Sequence, residues 1–315
     1  MEELSLMMTN DSNKSYVDYL DINLIYSLIK DNFKLFFIVG SLAFVISVLY
    51  SLTLNNIYRS EAILQINNQS QNQASSISSL SGFARGLGLN LSQTADRASY
   101  ALETMKSKDF FEELYKDDQF LINVFASQEY SHGEEKLYLD KDIYDKGWKS
   151  NPASITGTMK PSLLDAHQKF LTNNFSVSRN GETGFITISM KHISPLVARD
   201  TLDDLIKQVN QFVMDKEIKE TKKSIKFLQD QIAGLNNSDV KRAVSQVLQQ
   251  QIQLLMISEV TDEYILKIID SPYVPEIKFE PSRTRIVITF SIFVELILFI
   301  FLMIKELNKQ RRFEF

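Results

Sequence analysis

The chain has 315 residues, of which 44% are hydrophobic and 23% charged, with a formal net charge of −5. Ten glycines and no cysteine exclude a collagen-like or disulfide-stapled chain, and the apolar content excludes one disordered throughout. The mild acidic excess, with no basic stripe, argues against nucleic acid as a partner.

In chain order, residues 1–34 are an acidic tail of net charge −3, read as cytoplasmic. Residues 35–54 (LFFIVGSLAFVISVLYSLTL) then form an apolar run with no charge between Lys34 and Arg59. At about 1.5 Å rise per residue, a helix of this length reaches roughly 30 Å, the thickness of the hydrocarbon core of a bilayer, so the run predicts a transmembrane helix. The acid-rich stretch before it and the lack of a small-residue cleavage pattern make it an anchor rather than a removable signal. Residues 286–304 (IVITFSIFVELILFIFLMI) predict a second span, interrupted by one charge, Glu295. Residues 305–315 are a basic tail of net charge +2. Two spans put both termini on one side, and Lys30, Lys34, Lys305, Lys309, Arg311 and Arg312 favour the cytoplasm. Residues 55–285 then lie outside the cytoplasm, with 27 basic against 30 acidic residues. The absence of cysteine suits an oxidising compartment.

Within that segment, residues 58–66 (YRSEAILQI) alternate and predict a strand. Residues 67–79 are a polar loop, and Gly82, Gly86 and Gly88 follow without the spacing of a phosphate cradle. Residues 94–116 carry the helical repeat Ala98, Ala101, Leu102, Met105, Phe110, Leu114. Residues 133–161 are irregular, and Pro161 is expected to open a helix through Phe170 and Leu171. Residues 175–179 and 185–191 flank Asn180-Gly181, which predicts a hairpin whose turn needs positive φ. Ser194-Pro195 reads as the cap and first residue of a long helix to about residue 233. A second helix, with Val240, Val244, Val247, Leu248, Ile252 and Leu255, completes an αα-hairpin over residues 195–258. The charged middle of its first arm, 215–223, with pairs such as Asp215 and Lys219, is open to two readings, a solvated face or a contact between subunits. The chain returns through residues 264–269 to Pro272, Pro275 and Pro281, which forbid helix and predict a stiff extended stalk into the second span.

These pieces together resemble the polysaccharide co-polymerases, and among them the O-antigen chain length determinants of Gram-negative bacteria. The resemblance is carried by the first span with YRSEAILQI after it, by SGFARGLGLNL, ALETMKSKDFFEELY, FITISMKHISPLVARDTLDDLIKQVN and EYILKIIDSPYVPEIKFEPSR, and by the closing span. Its most specific part is the proline-rich stretch before the second span, which Pro272, Pro275, Pro281 and Arg283 match. It implies an α+β membrane protein, with a periplasmic α/β base domain and a long protruding helical hairpin between two transmembrane helices. It further implies a homo-oligomer, a ring or bell in the bacterial inner membrane, that governs how many repeat units the O-antigen polymerase adds to the nascent lipid-linked polysaccharide. No cofactor or metal and no bond-making step by the protein itself is implied, and common antigen, capsule or exopolysaccharide stay open as alternative products. The subtype with a fused tyrosine kinase does not fit, because no Walker A motif is present.

Two membrane features stand beside the resemblance. Relatives often carry glycine in the second span, whereas residues 286–304 have none; Ala43, Ser47 and Ser51 in the first span form a small-xxx-small series that reads equally as a face suited to close helix approach or as ordinary small residues facing lipid. A carboxyl at mid-membrane is costly and normally faces protein or water, so Glu295 is open to two readings: a contact with the polymerase or a neighbouring subunit's first span near Ser47 or Tyr50, or a protonated side chain that is merely tolerated.

An enzyme lacks support in the residues. His132, His167 and His192 are the only histidines, none in a metal-ligand spacing, and the carboxylates show no pattern. Trp148, the sole tryptophan, reads as a packing anchor rather than a sugar platform. A two-span sensor would need a cytoplasmic output module, and only residues 305–315 follow the second span.

Overall fold

A computed structural model describes residues 22–67, 97–234, 237–258 and 261–313. Helices α1 (Ile22–Asp31) and α2 (Phe33–Thr53) lead to strand β1 (Tyr58–Ile66). Helices α3 (Arg97–Lys106), α4 (Lys108–Tyr115) and α5 (Asp118–Phe125) follow, then strands β2 (Ser127–Ser131) and β3 (Lys136–Leu139). Helix α6 (Leu163–Lys169) runs through one π-helical turn, Phe170–Asn174, into β4 (Phe175–Arg179) and β5 (Ile186–His192). The long helices α7 (Pro195–Gly234) and α8 (Ser238–Ser258), strand β6 (Leu266–Asp270) and helix α9 (Arg283–Phe313) complete the order. The chain divides into two units, residues 1–54 with 281–315, and residues 55–280.

In the first unit, α2 and α9 are long and apolar enough to cross a membrane. Their large side chains point outward, among them Phe37, Ile38, Leu42, Leu49, Phe293 and Phe301. A soluble core helix would bury such residues, and water would not tolerate so large an apolar surface. Helix α1 is not among the expected elements and lies within the acidic N-terminal segment 1–34.

In the second unit, four strands form an antiparallel sheet in the order β4-β5-β1-β6. Period-two alternation decides its faces. Tyr58, Ser60, Ala62 and Leu64 of β1 are buried, while Ile63 and Gln65 point the other way. Pairing sets Ala62 opposite Ile188 and Leu64 opposite Ile186, so apolar side chains line up across the ladder. The first half of α7 covers this face with Ala198, Leu202, Leu205, Ile206, Val209 and Val213, joined by Phe110, Phe111 and Phe170 from α4 and the π-turn. A separate small core of Leu228, Val244 and Val247 holds the far half of the α7–α8 hairpin. The fold is therefore the α+β one expected, with two candidate membrane helices at the ends and a long helical hairpin.

The local signals held where a side chain could close a hydrogen bond. Ser194 Oγ accepts from the Val197 N–H at 3.3 Å, with Pro195 opening the 40-residue α7. Where they failed, a competing cap won. The single helix expected over 94–116 is two, because Ser107 adopts extended φ/ψ and its Oγ accepts from the Phe110 N–H at 3.2 Å. Helix α6 begins at Leu163, capped by Ser162, so Pro161 stands outside it. The β4–β5 turn takes its positive φ at Gly184 (74°) rather than at Gly181. Asn180 Oδ1 instead accepts from the N–H groups of Glu182 and Thr183, which spreads the turn over four residues. Strand β3 falls within residues 133–161, expected to be irregular, and pairs with β2 as an antiparallel hairpin. Strand β6 lies in the return segment, to which the sequence pattern assigned no element. In the charged middle of α7, Asp215 accepts from Gln211 at 2.9 Å. Residues 68–96, and with them SGFARGLGLNL and its glycines, lie outside the described residues.

Candidate functional site

The proline-rich segment is not a free stalk. Its prolines supply no N–H and hold φ near −65°, so residues 271–280 stay extended and take their hydrogen bonds from neighbours. Ile57 N–H donates to Glu280 C=O at 2.8 Å, and Phe279 N–H donates to Ile57 C=O at 2.8 Å. Ser60 Oγ–H donates to Tyr273 C=O at 2.7 Å. Side chains add a clamp: the Arg59 guanidinium lies 3.8 Å from the centroid of the Phe279 ring and Lys191 Nζ lies 4.9 Å from it, while Lys191 also pairs with Glu280 at 2.7 Å. The result is a strap across β1 and β5. Pro275 is buried, Pro272 half-buried, and the strap bends at Glu276-Ile277. A cleft of about 530 Å³ opens beside it, lined by Arg59, Tyr273, Val274, Pro275, Ile277 and Phe279. Pro281 and Arg283, both half-buried, belong to the other unit.

The strand before the strap is tied to the hairpin by polar groups that no sequence pattern singles out. Asn210, buried in α7, and Tyr264 are the centres of this attachment. The Tyr264 hydroxyl donates to Glu217 Oε2 and accepts from Ser258 Oγ at 3.3 Å, while Arg97 reaches Glu217 at 3.6 Å. Burial first, then the hydrogen bond to Glu217, pushes the Tyr264 phenol up to about 12, so it remains a donor.

The three histidines sit apart and each ties two segments together. His132 Nε2 meets the Tyr58 hydroxyl at 2.6 Å, and His167 Nε2 meets the Lys106 carbonyl at 2.8 Å. His192 Nδ1 accepts from the Ser194 N–H at 3.0 Å, so its proton is on Nε2, which donates to the Asn123 carbonyl at 2.8 Å. Burial lowers its pKa. Among the described residues, no group of three or more His, Asp or Glu side chains could hold a metal ion. Trp148 is half-buried, edge-on to Tyr144 at 5.5 Å.

In the span unit, Ala43, Ser47 and Ser51 are buried residues of α2, the helix that packs against α9. The series continues one turn earlier to Gly40. A Cβ there would lie 2.5 Å from Glu295 Oε1, so the carboxyl occupies the notch that glycine leaves. Within one chain Glu295 thus meets its own first span at Gly40. The sequence signal for this contact is Gly40, the only glycine in the first span, rather than a glycine in the second. Ser291, one turn before Glu295, has a buried hydroxyl with no hydrogen-bond partner among the described residues and lines the same notch.

A family model described as "Wzz: Chain length determinant protein" matches residues 18–117, from before α1 to just past α4. Over this segment, about a third of the chain, the sequence is similar to the Wzz chain length determinant family. Among solved structures, the fold is similar to a fragment of WzzB, a polysaccharide co-polymerase from Salmonella Typhimurium, at 13% identity, covering 71% of this chain and 100% of that one with TM-score 0.33. It is also similar to a full-length bacterial polysaccharide co-polymerase at 11% identity, covering 93% and 99% with TM-score 0.37. No curated protein matches the chain. The matched segment takes in α2, β1 and the helices α3 and α4.

Proposed function

We propose that the protein regulates the chain length of lipopolysaccharide O-antigen during polymerase-dependent assembly, as a non-catalytic oligomeric scaffold in the bacterial inner membrane. The observation that carries this reading is the chain length determinant match over residues 18–117. A second candidate span at the other end of the chain agrees with it. In this reading both termini are cytoplasmic, as the lysines and arginines flanking the spans favour, and residues 55–285 are periplasmic. The mechanism is non-covalent: copies of the chain organise the polymerase or hold the growing lipid-linked glycan, and contacts among them set the preferred length. Pro272, Pro275, Pro281 and Arg283 shape the entry to the second span, while Ala43, Ser47, Ser51 and Glu295 set how the two spans meet.

Deletion of the gene, with lipopolysaccharide resolved on a gel, tests the reading. Loss of the preferred length class, restored by the gene in trans, is the expected result. An unchanged O-antigen ladder rejects it, and an altered length of a capsule, common antigen or exopolysaccharide in the same strain would assign the chain to that product.

A further inference from the structure

The outer side of the strap is apolar and uncovered. Ile277 at its bend is 82% exposed, and Tyr273 and Val274 beside it are 50% and 39% exposed. These side chains have no route inward, because the backbone on both sides of the bend is fixed through Ser60–Tyr273 and Ile57–Glu280. Chain length then limits where they can be. Ile277 precedes Arg283, the first residue of α9, by six residues, so at no more than about 3.5 Å per residue it lies within roughly 20 Å of the start of that helix. Through the Ile57–Glu280 bridge it is bound as closely to the end of α2 at Thr53, four residues before Ile57.

We propose that this bend is a bilayer-surface anchor, with Tyr273, Val274 and Ile277 entering the interfacial layer of the phospholipid leaflet that α2 and α9 leave. The inference rests on those two helices spanning a membrane. An apolar tip flanked by a tyrosine and by the charged Glu276 and Lys278 has the chemistry of that layer, where amphipathic rings and aliphatic groups meet headgroups. The prolines help: Pro272 and Pro275 remove two N–H donors that would need partners away from water. Anchoring would fix the base of the second unit at a set height above the lipid.

The single native tryptophan makes the test clean. The full chain carrying Trp148→Phe and Ile277→Trp is reconstituted into vesicles of phosphatidylethanolamine and phosphatidylglycerol, with Val274→Trp as a second reporter. Trp148→Phe with Ile155→Trp serves as the water-exposed control, since Ile155 is 97% exposed. Both strap reporters are expected to emit at shorter wavelength than the control and to lose about half their intensity to lipids brominated high on the acyl chain, as a ring at headgroup depth should. Emission insensitive to bromine but quenched by aqueous iodide overturns the inference. Short-wavelength emission insensitive to both also overturns it, and gives the surface to a second copy of the chain. Release of the unmodified protein from vesicles at alkaline pH would instead remove the spanning reading itself.

Discussion

The side-chain amide of Asn210 pairs with the main chain of Leu266 in both directions. Its Nδ2–H donates to the Leu266 carbonyl at 3.0 Å, and its Oδ1 accepts from the Leu266 N–H at 2.8 Å and from the Ile265 N–H at 2.9 Å. One helical side chain thus completes the hydrogen bonds of an edge strand that would otherwise bury unpaired groups against α7. Loss of one partner from a buried pairing costs about 1–3 kcal/mol, and here three backbone groups share it. Asn210→Ala should lower stability by about 2–4 kcal/mol, read as a shift in the urea midpoint of the detergent-solubilised protein. A loss under about 0.5 kcal/mol would show that packing alone holds β6 in place.

His192 makes stability depend on pH. It is buried and neutral in the fold, with a pKa below the ordinary 6.5, while in the unfolded chain it titrates near that value. Above about pH 6.5 neither state binds the proton and the full stability is present; as pH falls below it, the unfolded state binds the proton first and stability is lost. The urea midpoint should therefore fall between pH 7.5 and 5.5. In His192→Gln this loss should shrink, from a lower starting stability, because the amide does not titrate there. An equal pH slope in both proteins would place the acid sensitivity elsewhere.

The clamp on the strap is modest in energy and specific in place. Cation–π contacts at partly exposed sites are worth about 0.5–1 kcal/mol, and exposed ion pairs no more. Phe279→Ala removes the ring that Arg59 and Lys191 share, so the main effect should be local. Trypsin should cut after Lys278 several times faster than in the unmodified chain, with the thermal midpoint almost unchanged. Equal cutting rates would mean that the Ile57–Glu280 bridge alone fixes the strap.

Gly40 and Glu295 form a notch and its occupant. The built Cβ at Gly40 meets only the end of a flexible carboxyl side chain, so Gly40→Ala should displace the carboxyl and leave the helix pair intact. Gly40→Leu should wedge α2 from α9, a contact that elsewhere relies on the small residues Ala43, Ser47 and Ser51. Under the proposed function, Gly40→Leu and Glu295→Leu both change the O-antigen length distribution at normal membrane levels, whereas Gly40→Ala changes it little. An unchanged ladder in Glu295→Leu would remove that residue from length control.

What the sequence disclosed divides along physical lines. Signals that repeat, such as the unbroken apolar runs, the alternation of β1 and the three-four spacing of α7, survive folding because many residues vote for them. Ser107 breaking one helix, or Asn180 widening one turn, depends on a single side chain choosing a local backbone partner, and periodicity cannot see that. The site was half visible. Pro272, Pro275 and Pro281 announced an extended segment, but that it lies on β1 required Arg59, Lys191 and Phe279, residues far apart in sequence, to meet. Glu295 was conspicuous as a charge in an apolar run, whereas its partner, the space at Gly40, is an absence that only packing reveals.

The hairpin of α7 and α8 carries a last prediction, because its two cores are unequal. Between Val213 and Leu228 no residue of α7 is buried, so the far core of Leu228, Val244 and Val247 is insulated from the large one over the sheet. Leu228 is fully buried there, and truncating a buried leucine costs about 2–5 kcal/mol. A core this small has little else to hold it, so Leu228→Ala should open the far half of the hairpin without unfolding the base. In amide exchange, residues 225–232 and 240–250 should exchange about a hundredfold faster, as roughly 3 kcal/mol of lost local stability requires, while residues 198–213 keep their protection. Uniform acceleration across both sets would show one cooperative unit, and then the gap in the core would have no energetic meaning.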